Sequence, residues 1–204
     1  MTLFVVLLWD SNVKVSSDKV KVAEATHEGN KIGLGLFLRP GTAVEPGEVL
    51  TEYPGSPRWI DRNFTHGPNH GYEYMLGPLR VEDRLGRSHE RYLIWDCFDP
   101  SDTKDMRFVA HKVNTFHPRS LEEKYRTQNC IWGIDVWNLE LKIHVEPVAR
   151  LYLVAAKPLS VPRKSKSPIQ LLADYHWFLA EELGLGCGER DCTLCGDGLS
   201  KFYP

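Results

Sequence analysis

A chain of 204 residues, 42% hydrophobic and 25% charged, has the size of one folding unit and enough apolar content to exclude global disorder and low-complexity sequence. A formal net charge of −2 excludes the broad positive field on which direct nucleic-acid binding depends. The 13 prolines and 11% aromatic residues argue against a helical bundle and for short strands joined by turns, a β-rich α+β architecture.

The apolar run Leu3 to Trp9 stops at Asp10, far short of the roughly 20 residues that span a membrane. No Lys or Arg precedes Lys14, so the basic amino end of a secretory signal is missing, and the run is expected to be a buried strand in an N-terminal extension, residues 1–19. Val20 to Thr26 alternates apolar and polar residues, Gly29-Asn30 turns the chain, and Ile32 to Leu38 returns it as a second strand interrupted by Gly33 and Gly35. Glu48 to Tyr53 is a third strand, framed by Pro46-Gly47 and Pro54-Gly55. Ser56 to Gly71, rich in Pro, Gly, Asn and His, is expected to be an irregular excursion. Strand signals return at Tyr72 to Leu76, Arg91 to Trp95 and Ile131 to Trp137, and Val148 to Ala156 carries a single charge and reads as a buried strand. Two helices are expected. Ser120 with Glu123 forms a capping box, and Tyr175 to Leu183 is an apolar-faced stretch that Gly184 ends. The basic loop Pro162-Arg-Lys-Ser-Lys reads as solvated surface.

Cys187, Cys192 and Cys195 crowd into nine residues, while Cys97 and Cys130 stand alone. An odd number with one tight cluster favours metal over a disulfide framework. Cys192-Thr-Leu-Cys195 lets two thiolates reach one ion from a tight turn, and tetrahedral zinc would take a fourth ligand from elsewhere in the chain.

Gly33-Leu34-Gly35-Leu36-Phe37 lacks the third glycine and the helix start of a dinucleotide-binding turn, because Arg39-Pro40 follows. Together with Gly47 to Gly55 it resembles the opening of a SET domain, the catalytic unit of protein lysine methyltransferases. Later segments keep that order. Tyr72-Glu-Tyr74-Met-Leu76 resembles a Tyr-x-Phe-x-Leu strand, and Met106-Arg107-Phe108-Val109-Ala110-His111 with Asn129-Cys130 resembles the Arg-Phe-Ile-Asn-His-Ser-Cys segment. Leu151 to Leu159 resembles the strand that follows it. Leu171-Leu172-Ala173-Asp174-Tyr175, with Phe178, resembles the closing motif, and Cys187-Gly188-x3-Cys192 the zinc-binding post-SET tail.

The resemblance implies a SET fold of several small sheets with short helices over residues 20–183 and a zinc-binding tail over residues 184–204. It implies S-adenosylmethionine and zinc as cofactors and a protein or histone-tail lysine as substrate, in a monomeric nuclear or cytoplasmic protein that binds neither membrane nor nucleic acid directly. By resemblance Tyr175 is the catalytic tyrosine and Tyr72 its partner in the lysine channel. Gly33, Leu34, Gly35, Leu36, Arg107, Phe108, Ala110, His111, Asn114, Tyr175 and Phe178 would bind the cofactor. Cys130 would join Cys187, Cys192 and Cys195 on zinc, with His117 the alternative fourth ligand. The chain departs from the family at Ala110, where an Asn is usual; a second register offers Asn114 instead, with Thr115 in the place of His. Ser167-Pro168-Ile169-Gln170-Leu171 replaces Gly-Glu-Glu-Leu. The loss at Ala110 keeps open a second function, a SET-fold binding module without catalysis.

Overall fold

A computed structural model describes residues 5–8, 13–27, 30–61, 73–97, 99, 101–113, 127–135, 139–165 and 168–173. Within them the chain is β-rich, with strands β1 (Val5–Leu8), β2 (Val20–His27), β3 (Asn30–Leu38), β4 (Thr42–Val44), β5 (Val49–Glu52), β6 (Pro57–Ile60), β7 (Glu73–Glu82), β8 (Ser88–Asp96), β9 (Cys130–Asp135), β10 (Arg150–Ala155) and β11 (Leu159–Val161). Short 3-10 turns form at Ser17–Lys19, Met106–Phe108 and Ala110–Lys112. The strands make several small sheets: β1-β9-β10-β5, β6-β8-β7, and the pairs β2-β3 and β11-β4.

The expected hairpin is β2-β3, antiparallel from Val20↔Leu38 to His27↔Asn30. The register slips between Ala25 and Thr26, which leaves Ile32 as an extra residue, and Gly33 beside it takes φ +100°, a backbone conformation that favours glycine. The N-terminal apolar run forms β1, which lies parallel to β9 with Val5↔Trp132 and Leu8↔Asp135 in register. Ser56 to Gly71 departs from expectation, because Pro57–Ile60 is a strand paired with β8. The sequence hides it behind Pro57, which an edge strand tolerates since its missing N–H leaves no gap in an interior ladder. The helices expected after Ser120 and over Tyr175 to Leu183 lie outside the described residues.

The sheets bury one apolar core. Leu36 and Leu38 of β3, Leu50 of β5, Leu93 and Trp95 of β8, Trp132 and Ile134 of β9, and Leu151 and Leu153 of β10 are all almost completely inaccessible. Each such side chain contributes roughly 1.5–3 kcal/mol by leaving water. Alternation along β5 and β10 sends Val49, Tyr152 and Val154 to the opposite face, where Val13 and Val15 cover them.

A short segment, residues 168–173, joins these sheets. Its Leu171 N–H donates to Leu36 O (2.8 Å), and its Ile169 carbonyl accepts from Leu38 N–H (2.9 Å). On its other side the Leu172 carbonyl accepts from the Asn129 and Cys130 N–H groups, at 3.2 and 3.0 Å. The Asn129 amide completes the seam, Nδ2 donating to Gln170 O and Oδ1 accepting from Leu172 N–H, both at 2.8 Å. Leu171 and Ala173 are thereby fully buried in the core.

Asn129→Ala removes both side-chain bonds of that seam and strands two backbone groups beside a buried position. Each such loss costs about 1–3 kcal/mol, so thermal denaturation is expected to show a midpoint lowered by several degrees. An unchanged midpoint would mean that the seam holds without Asn129.

Candidate functional site

The segments that carry the sequence motifs are far apart in the chain and meet in space. Residues 168–173 lie between β3, which holds Gly33 to Leu36, and the start of β9, which holds Cys130. The 3-10 turn Ala110–Lys112 packs against β3. His111, 6% exposed, presents its ring edge-on to Tyr53, with centroids 6.4 Å apart at 79°.

Tyr53 opens a buried aromatic cluster. It lies 6.3 Å from Tyr74 and 6.0 Å from Trp132, Tyr74 lies 4.9 Å from Trp132, and Trp95 stands 6.2 Å from Tyr74 in a T-shaped contact. Offset and edge-on geometries of this kind add about 0.5–1.5 kcal/mol per pair beyond burial and hold the rings rigidly. The four rings come from β7, β8, β9 and the residue after β5, so no local pattern in the sequence announces them. Tyr74 carries the one available signal, standing within the Tyr-x-Tyr-x-Leu stretch that the sequence already reads as a strand.

The turn bearing Arg107 and Phe108 is fixed by β5. Thr51, fully buried, places its hydroxyl 3.0 Å from Met106 O and 2.9 Å from Arg107 O, donates to one of them, and accepts Val109 N–H at 3.1 Å. The Asp105 carboxylate caps the same turn by accepting Arg107 N–H at 2.9 Å. Glu52, the next residue of β5, has a side chain 12% exposed, and its Oε2 lies 3.9 Å from Arg107 Nε. Burial pushes the Glu52 carboxyl above the usual carboxylate range, Arg150 and Arg107 pull it back, and Asp135 adds to the rise. Arg107 sets its guanidinium 5.4 Å from the centre of the Phe108 ring, which is 38% exposed.

The residues expected to bind the cofactor divide into two groups. Gly33, Leu34, Arg107 and Phe108 are exposed, whereas Gly35, Leu36, Ala110 and His111 are buried. At Gly33 no heavy atom stands within 4 Å of where a Cβ would be, so the backbone there is open to a ligand laid against it. Ala110 is fully enclosed in the apolar core. Cys130 is enclosed in the same core, and burial drives its thiol well above the ordinary range, the state of a neutral thiol. Among the described residues no group of three His, Cys, Asp or Glu side chains comes close enough to hold a metal. Tyr72, Asn114, His117, Tyr175, Phe178, Cys187, Cys192 and Cys195 lie outside the described residues.

No family model matches the chain, and no curated protein sequence matches it. Among solved structures it is similar to ATXR5 in complex with mono-methylated histone H3.1, at 17% identity and a TM-score of 0.46. It is also similar to the ATXR5 SET domain in complex with di-methylated histone H3, at 16% identity and a TM-score of 0.46. Both likenesses cover 78% of this chain and 58% of the solved one, so the chain spans under two thirds of the length of the structures it matches.

Thr51→Val keeps the volume of Thr51 and deletes its hydroxyl, leaving Val109 N–H and a turn carbonyl without partners in a buried place. Urea denaturation is expected to show a loss of about 1–3 kcal/mol, with Thr51→Ser close to the parent. Equal loss in both variants would trace the effect to packing instead of the hydroxyl.

Proposed function

We propose that the chain is an S-adenosylmethionine-dependent protein lysine methyltransferase of SET type. The observation that carries this is the convergence of four motif segments: β3 with its paired glycines, the turns at residues 106–112, the Asn129-Cys130 start of β9, and the segment 168–173 that leads directly to Tyr175. The open backbone at Gly33 suits a cofactor laid along β3, and the turn that packs against β3 carries His111, which meets Tyr53 edge-on.

The cofactor supplies an electrophilic methyl group on a sulfonium. The chain's own residues must deliver a neutral amine to it, because a lysine with its ordinary pKa of about 10.4 is protonated at neutral pH and has no free lone pair. A channel walled by aromatic rings disfavours the ammonium by excluding water. By the motif resemblance Tyr72 and Tyr175 would supply the channel's polar tips and aim the nitrogen, and Tyr53, Tyr74 and Trp132 form a packed aromatic cluster that could wall it. Cys187, Cys192 and Cys195 would hold zinc, with Cys130 or His117 as fourth ligand, and fold the tail back against the domain. The burial of Cys130 sets a condition on its ligand role, because a thiolate in apolar surroundings needs the cation beside it. Ala110 in place of Asn favours the second reading, a binding module of the same fold without turnover.

Titration with S-adenosylmethionine separates the two functions, since a ligand at 100 times its dissociation constant raises stability by about 2.7 kcal/mol. A shift in melting temperature is expected, and none at millimolar cofactor would remove the enzyme. Tyr175→Phe is expected to retain cofactor binding and to lose roughly 100 to 1000-fold in turnover, the usual effect of deleting one preorganised donor. Wild-type turnover by a folded variant would make Tyr175 a core residue.

Protein purified under reducing conditions without chelator is expected to carry about one zinc per chain. Cys187→Ala should lower that content, and Cys130→Ala should lower it only if Cys130 is the fourth ligand. Metal-free folded protein would overturn the zinc tail.

A further inference from the structure

Glu52 is an unusual residue to find inside a strand whose four positions are all buried. Its Oε2 is inaccessible and, among the described residues, accepts no hydrogen bond, a costly state for a carboxylate. At 3.9 Å its ion pair with Arg107 Nε is too long to be a hydrogen bond, so the interaction is one of charge and position. Thr51, the preceding residue of the strand, already fixes the backbone of the same turn, and two consecutive β5 residues therefore hold Arg107 from two sides. The guanidinium they hold is half exposed and overlies an exposed ring.

We propose that Glu52 is the positioning residue for Arg107, fixing its guanidinium over Phe108 so that the ledge can meet the carboxylate end of the cofactor. This rests on the function proposed above. The α-carboxylate is the only negative group of S-adenosylmethionine, and a guanidinium pairs with carboxylates in a defined geometry. A free arginine would lose that geometry to rotamer freedom, and a buried carboxylate beneath it restricts the choice. Among the described residues the other charged and titratable groups facing Glu52 are Arg150 and Tyr152 of β10 and Asp135 of β9, and Arg150 is itself engaged by the Tyr152 hydroxyl. Arg107 is thus the half-exposed cation that the Glu52 charge can steer.

Because burial raises the Glu52 carboxyl, acidification neutralises Glu52 at a pH above the ordinary glutamate value of about 4.3. Calorimetric titration of the full chain with S-adenosylmethionine between pH 5 and 8 is the test. Wild-type affinity is expected to fall on acidification. Glu52→Gln should bind about tenfold more weakly at pH 8, a typical charge-pair effect, and show a flatter pH profile; Glu52→Asp should regain part of both. In an Arg107→Ala background, Glu52→Gln should change nothing further. The Arg107 Nε–H resonance, followed without cofactor, should move with pH in the wild type and stay fixed in Glu52→Gln. Wild-type affinity and pH profile in Glu52→Gln, or an Arg107 resonance indifferent to pH in the wild type, would overturn the proposal. Failure of the wild type to bind cofactor while that resonance does move would instead strike the proposed function and leave the Glu52–Arg107 coupling supported.

Discussion

Six residues, 168–173, hold the molecule together by serving two strands at once. One side is hydrogen-bonded to Leu36 and Leu38 of the glycine-bearing hairpin, the other to Asn129 and Cys130, and Leu171 fills the core between them. A peptide segment cannot be buried unless its N–H and C=O groups find partners, and here the Asn129 side chain supplies the pair that backbone geometry leaves over. Without that seam the small sheets would have little reason to share one core, since two of the four are mere pairs of strands and pairs are marginal on their own.

The same economy governs the neighbouring turns. Strand β5 is hydrophobic on both faces apart from Thr51 and Glu52, and these two polar residues are the ones that reach the 106–109 turn. Polar groups are expensive in such a place, so their presence implies that the position of the turn matters more to the protein than the stability a valine or leucine would add there. The aromatic cluster ties in the next turn, Ala110–Lys112, because Tyr53 meets both its His111 and Trp132 of the core.

The sequence disclosed what is encoded locally. The β2-β3 hairpin, β5, β8 and β10 follow from alternation and from the glycines and prolines that bracket them, and the observed ends differ from expectation by a few residues. Strands β4 and β11 have three residues each and exist only because they find one another across the fold, so no window of sequence reveals them. β6 is masked by its proline, and the extension of β7 to Glu82 by Gly77-Pro78 in its middle. At the site, the motif order singled out Gly33, Arg107, His111 and Cys130, whereas Thr51, Glu52, Tyr53 and Asn129 stood inside the motif segments with no role of their own. Their roles are contacts between distant segments, and such contacts leave no spacing to read.

Leu36 and its partner Leu171 are separated by most of the chain. Closing so long a loop is entropically more costly than closing a short one, although each doubling of length adds only about 0.6 kcal/mol. A ribosome emitting this chain therefore releases the hairpin and the central sheet well before the segment that joins them. Until then the Leu36 carbonyl and the Leu38 amide form a bare strand edge, open to any other extended peptide. The seam that joins the sheets is thus also a late vulnerable edge of the nascent protein. A cell making this chain must shield that edge, or tolerate some loss to misassembly, for as long as the closing residues remain in the exit tunnel.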